Sequence, residues 1–149
     1  MASPEHINLF NVTLLNAFIV AVTVLIHHEA LIRLSGALSR MRQSRHFRLI
    51  AAVFGVMIAH TIQVWIFAWA YYFMHHATDW GDLTGNFNGT FLDCVYFSYS
   101  TFTTLGYGDI QPQGDIRYLT GIESLTGLVL ITWSASFLFL LMQRYWPTR

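Results

Sequence analysis

The chain has 149 residues, 54% of them apolar and only 11% charged, and eight basic residues balance eight acidic ones. A mean hydropathy of +0.45 points to an integral membrane protein, and the net charge of zero argues against a nucleic-acid partner. Cys94 is the only cysteine, which excludes an intrachain disulfide.

A membrane helix needs about 20 mostly apolar residues. Ile7 to Ile26 is the first such run. The residues before it lack the basic region and cleavage site of a signal peptide and are expected to form a short exported tail. His27-His28-Glu29 follows, at the expected membrane boundary. Leu31, Leu34, Leu38 and Met41 then recur at helical spacing beside Arg33, Arg40 and Arg42. That pattern predicts a helix lying in the cytoplasmic interface, where arginines attract anionic lipid heads at about 1 kcal/mol each.

Leu49 to Met74 is the second span, interrupted by His60 and Gln63. These two are expected to hydrogen-bond Asn16 of the first span, as polar glue between helices. His75-His76 with Asp79 forms a second boundary cluster. Adjacent histidines point different ways on a helix, and neither pair has a histidine partner at i+4, so metal ligation is not expected.

Asn88-Gly89-Thr90 precedes a shorter apolar run, Phe91 to Phe102, which cannot span. Thr90, with Asp93 three residues on, reads as a capping box. Backbone at membrane depth that does not span must be buried in protein or line a water-filled path. The string that follows is Thr101-Phe102-Thr103-Thr104-Leu105-Gly106-Tyr107-Gly108-Asp109, and Pro112 closes the turn after it. Gly106 and Gly108 accept φ > 0 freely. Tyr118 to Met142 is the third span and carries one charge, Glu123. A carboxylate at that depth costs a few kcal/mol unless paired or protonated.

All eight basic residues are arginines. Arg33, Arg40, Arg42, Arg45 and Arg48 fall between the first two spans, Arg144 and Arg149 follow the third, and only Arg117 lies on the other side. The positive-inside rule then places the first loop and the C-terminus in the cytoplasm and the N-terminus outside. Asp79, Asp82 and Asp109 face out. No span repeats arginine every third residue, so a voltage sensor is not expected.

With Phe91, Tyr96-Phe97 and Thr101 in step before it, the glycine string makes Asn88 to Met142 resemble the pore-loop potassium channels, particularly their bacterial and tandem-pore-like members. The filter of that family reads T-x-T-T-(V/I/L)-G-Y-G-D. The resemblance implies an all-α membrane protein of three transmembrane helices plus a re-entrant pore helix and selectivity filter, assembled as a homotetramer. Residues 1–48 would form an extra N-terminal transmembrane helix with its basic interfacial segment, and residues 49–149 the pore domain. Thr103, Thr104, Leu105, Gly106, Tyr107, Gly108 and Asp109 would form the filter, with potassium held at Thr104, Leu105, Gly106 and Tyr107 by backbone carbonyls that replace its water.

The same resemblance puts Tyr96 and Phe97 in an aromatic cuff around the filter. Many relatives have a tryptophan at the Phe97 position that hydrogen-bonds the filter tyrosine, and several have a glutamate at the Ser100 position that pairs with the filter aspartate. Glu123 stands where inward rectifiers tend to have glutamine, and is expected to support the filter from near Tyr96, Ser100 or Thr103, with a cation-attracting cavity charge as the alternative. Gly127 would be an inner-helix hinge. The implied function is passive potassium conduction across the cell (inner) membrane, with no enzyme activity and no cofactor beyond the permeating ion. A poorly selective cation channel, or a non-conducting scaffold or regulatory subunit, is the alternative.

Overall fold

The computed structural model describes residues 9–42, 44–77 and 80–145. It is built from three long helices and one short one: α1 (Leu9–Arg40), α2 (Arg45–His76), α3 (Phe91–Phe102) and α4 (Ile116–Tyr145). The three long helices are each apolar enough to cross a membrane. At 32 residues, α1 and α2 extend about 48 Å at 1.5 Å per residue. That exceeds the roughly 30 Å of a hydrocarbon core. Their ends therefore project beyond it. The predicted start of the first span, Ile7, and the acidic residue Asp79 lie outside the described residues.

The interfacial helix expected after the first span is instead the continuation of α1, which runs unbroken to Arg40. Leu31 and Leu38 are buried. Leu38 packs with Ala52 of α2 and Leu141 of α4. Leu34 covers Gly55, where an added Cβ would stand 2.6 Å from its side chain. An i, i+3, i+4 apolar stripe fits a membrane surface or a neighbouring helix equally well, and the short connection at 41–44 brings α2 back antiparallel to claim it. Ser44 caps α2 by accepting a hydrogen bond from Phe47 N–H.

The buried face of α1 is a mixed stripe of Val12, Asn16, Ile19, Thr23, His27 and Leu31. The main core gathers Phe67, Tyr71, Phe102, Ile116, Leu119 and Leu130 from α2, α3 and α4. Thus α3 packs one face against the two helices that flank it in sequence.

Outside the helices lies a small antiparallel ribbon, β1 (Leu83–Gly85) with β2 (Ile110–Pro112), in the register Leu83 with Pro112, Thr84 with Gln111 and Gly85 with Ile110. Three-residue strands carry too little alternation to be read from sequence. Gly85 has φ +96, and a Cβ there would lie 2.3 Å from Asp109 O. The close approach that a glycine permits is what seats the ribbon.

Candidate functional site

The segment after α3 is organised by its amides. Thr104 N–H donates to Thr101 O at 2.9 Å, Leu105 N–H and Gly106 N–H both donate to Ser100 O at 2.9 and 3.1 Å, and Tyr107 N–H donates to Ser100 Oγ at 3.3 Å. Four successive N–H groups are thus tied to the last turn of α3, whose terminal carbonyls have no partners within the helix. The carbonyls of Thr104, Leu105, Gly106 and Tyr107 accept no hydrogen bond among the described residues, and all four residues are exposed. Ser100 supports this backbone by its own carbonyl and hydroxyl.

Backbone handedness alternates along the segment, with φ +58 at Thr104, +57 at Gly106 and +78 at Gly108. For the glycines this is free. A β-branched residue at such a φ is strained, at about 1–3 kcal/mol, and the bonds to Ser100 and Thr101 on either side hold it there. Thr103 ends α3 in a right-handed conformation, φ −82 and ψ 0. It therefore belongs to the helix terminus rather than to the alternating run.

Tyr96 stacks on Tyr107, with ring centroids 6.3 Å apart and planes 4° from parallel. Its hydroxyl donates to Asp109 Oδ2 at 2.9 Å. Phe97 turns the other way, into the core, edge-on to Tyr71 at 5.0 Å. A cavity of about 260 Å³ lies behind the segment, lined among others by Tyr96, Phe97, Ser100, Thr120 and Ser124. At the start of α3 the capping box is complete: Thr90 Oγ1 accepts from Asp93 N–H, and Asp93 Oδ2 accepts from Thr90 N–H and Asn88 N–H.

Glu123 of α4 is fully buried and faces α3, where its partner is Ser98 rather than Tyr96, Ser100 or Thr103. Oε1 lies 2.5 Å from Ser98 Oγ, and Oε2 accepts from the Tyr71 hydroxyl at 2.5 Å. Ser98 Oγ also lies 2.8 Å from Val64 O. One hydroxyl proton cannot serve both of Ser98's neighbours. The count closes when Glu123 carries a proton: Glu123 donates to Ser98, Ser98 to Val64 O, and Tyr71 to Glu123. One turn further, Gly127 lets α4 touch the end of α3, and a Cβ there would fall 2.0 Å from Phe102 O.

The sequence model of a family described as "Ion channel" matches residues 59–144, which takes in part of α2 and all of α3, the alternating segment, β2 and nearly all of α4. The chain belongs to that ion-channel family. No curated protein and no solved structure matches it. The channel is a helical membrane protein and not an enzyme.

Several residues that shape the channel's interior were not singled out by sequence. Tyr71 and Ser98, the partners of Glu123, are of this kind. Ser98 was accessible in principle, because a small polar residue on a buried helix face in a membrane often bonds a neighbouring helix. His27, expected at a membrane boundary, lies deep within α1 and is completely buried. Gln63 bonds it at 2.8 Å, and not Asn16, whose buried amide has no partner among the described residues. The second boundary pair sits at the ribbon, where His75 Nδ1 accepts from Leu83 N–H at 3.3 Å and lies 3.6 Å from Asp82. Among the described residues no group of three or more His, Cys, Asp or Glu is placed to hold a metal.

Proposed function

We propose that the chain is one subunit of a homotetrameric, potassium-selective channel. The observation that carries this reading is the division of the Thr104–Tyr107 backbone, with amides spent on α3 and carbonyls left without partners. Bare carbonyls at membrane depth are costly unless water or an ion meets them. One chain offers one such row, and a ring of four closes a path in which oxygen atoms replace the ion's hydration shell. Thr104, Leu105, Gly106 and Tyr107 then hold the ion. The Tyr96–Tyr107 stack and the Tyr96–Asp109 bond set the width of the row from outside. Gly127 serves as the contact point of α4 on α3 and as the proposed pivot of the inner helix.

The arginine distribution supports an N-terminus outside the cell membrane and a cytoplasmic C-terminus. In that orientation the exposed Arg40 and Arg42, at the turn between α1 and α2, reach anionic lipid heads. Arg33, from the same set, is engaged by Glu29 at 2.6 Å.

The test is reconstitution of the purified protein in a planar bilayer with potassium on one side and sodium on the other. A reversal potential that follows the potassium gradient is expected. Equal permeability to both ions leaves a non-selective cation channel, and absence of current at any voltage leaves a scaffold or regulatory subunit.

A further inference from the structure

Four side chains from α1, α2 and α4 close a ring. Gln63 Oε1 lies 2.9 Å from His60 Nδ1, and Gln63 Nε2 lies 2.8 Å from His27 Nδ1. Ser134 Oγ completes the circuit, 3.3 Å from His27 Nε2 and 3.1 Å from His60 Nε2. The two imidazoles stack, with centroids 5.3 Å apart and planes at 27°. The directions of the bonds follow from what each group can do. The amide oxygen accepts from His60 Nδ1–H, so His60 Nε2 is bare and accepts from the Ser134 hydroxyl. The amide nitrogen donates to His27 Nδ1, so His27 carries its proton on Nε2 and donates it to Ser134. Each of the four contacts then pairs one donor with one acceptor. If the amide is turned over, every bond reverses and the ring still closes.

With both histidines neutral the ring buries no charge. A second proton on either ring adds one, and Ser134 must then accept from both imidazoles and turn its own proton away from the ring. Among the described residues nothing nearby offsets that charge. From α1, Glu29 and Arg33 are paired with each other and His28 lies against Trp133 at 6.0 Å. The α4 helix contributes Ser134 and Trp133, α3 contributes Phe102 against His60 at 5.7 Å, and Glu123 is taken by Tyr71 and Ser98. Neither imidazole has a carboxylate partner among the described residues.

The ring also joins two parts of the chain that differ in kind. His27 lies on α1, outside the family match, whereas His60, Gln63 and Ser134 lie within it. Ser134 sits two turns beyond Gly127 on α4, past the point where α4 rests on Phe102 O.

We propose that His27, Gln63, His60 and Ser134 form a proton-sensitive latch by which the first helix holds the inner half of α4, so that acidification releases α4 and shifts the opening equilibrium of the pore. The gating half of this proposal rests on the conduction reading above. The latch itself does not.

Two measurements test it. The first is nitrogen NMR of the intact protein labelled at histidine, in lipid vesicles, between about pH 8 and pH 5, the range in which histidine changes charge. At the upper limit His27 and His60 should be neutral and in opposite tautomers, and should lose that pairing together on acidification. Two rings in the same tautomer, or rings that titrate independently, would overturn the latch. The second is open probability against pH for the wild type and for His27→Gln with His60→Gln, whose amides keep hydrogen-bonding capacity and cannot titrate. Uptake of one proton on release gives a slope of about tenfold in the open–closed ratio per pH unit. That slope should vanish in the double variant, and a slope equal in both proteins overturns the gating role. Opposite tautomers in a protein that carries no current at any pH would leave the latch standing and refute the conduction reading instead.

Discussion

The Tyr71 hydroxyl lies 2.5 Å from Glu123 Oε2, across the contact between α2 and α4, and the other carboxyl oxygen of Glu123 meets Ser98 of α3. A single side chain thus fastens α4 to both α2 and α3. The carboxyl is fully buried among α2, α3 and α4. Glu123→Gln should therefore preserve assembly and conductance, because its amide can donate to Ser98 and its oxygen can accept from Tyr71. Glu123→Ala and Tyr71→Phe should each destabilise the protein, by about 1–3 kcal/mol for the polar partner left buried. Single-channel conductance of the glutamine variant across ionic strengths decides the matter. A large loss that grows as salt is lowered, where screening is weak, would identify a cavity charge instead.

Gly127 has two possible reasons to be glycine, and one substitution separates them. A Cβ at this position would lie 2.0 Å from Phe102 O, so Gly127→Ala must push α4 off the end of α3. Overpacking of that kind costs about 1–3 kcal/mol and should lower the thermal midpoint of the purified protein. A pure hinge would show an unchanged midpoint and an altered open probability.

Gly106 differs from Gly127 because nothing lies within 4 Å of a Cβ built on it, while its φ is +57. Gly106→Ala should fold and assemble with a backbone penalty of about 1–2 kcal/mol, and lose potassium selectivity. Folding is read from the thermal midpoint and selectivity from the reversal potential. A selective Gly106→Ala channel would sever the link between alternating handedness and ion binding.

The capping box of α3 gives a prediction in pH. Burial works against the charge on Asp93, but hydrogen bonds from Asn88 N–H and from Thr90 outweigh it and hold the carboxyl below the ordinary aspartate value. A depressed folded value means stability that is present above the unfolded pKa and lost as pH falls through the folded one. Asp93→Asn should remove the part of the acid-induced loss that lies below the ordinary aspartate range. Thr90→Ala should cost about 1 kcal/mol at neutral pH. Thermal midpoints measured from neutral to acidic pH test both.

Single cysteines at Ser44 and Thr84, in a Cys94→Ala background, test orientation. Ser44 lies in the turn between α1 and α2 and Thr84 in the ribbon, so a membrane-impermeant reagent should reach them from opposite faces, with Ser44 labelled from the cytoplasmic one. Labelling of both from one face would overturn the arginine argument.

The features legible in the sequence are those fixed by local chemistry. Phe91–Phe102 was bounded by its capping threonine and by the glycine string beyond it. The three spans followed from hydropathy. What was not legible depends on which helix faces which. Leu31 and Leu38 look alike whether lipid or another helix covers them, and only the return of α2 decides it. Glu123 announced a buried partner by its cost, yet Ser98 and Tyr71 became its partners only through the angle at which α2, α3 and α4 meet. His27 was misplaced because a histidine at position 19 of a 32-residue helix looks terminal when the helix is assumed to end at the membrane boundary.

The ribbon beyond Asp109 has a mechanical consequence. Asn86 N–H donates to Asp109 O at 2.8 Å, β1 pairs with the strand that begins at Ile110, and Thr84 Oγ1 adds a bond to Gln111 O at 3.2 Å, so the loop before α3 is riveted to Asp109 chiefly by main-chain atoms. A pull on that loop travels to Asp109 without passing through any side chain. The loop is therefore a handle of fixed grip, in which exposed side chains other than Gly85 and the buried Leu83 can be exchanged for other chemistry while the leverage on Asp109 stays the same.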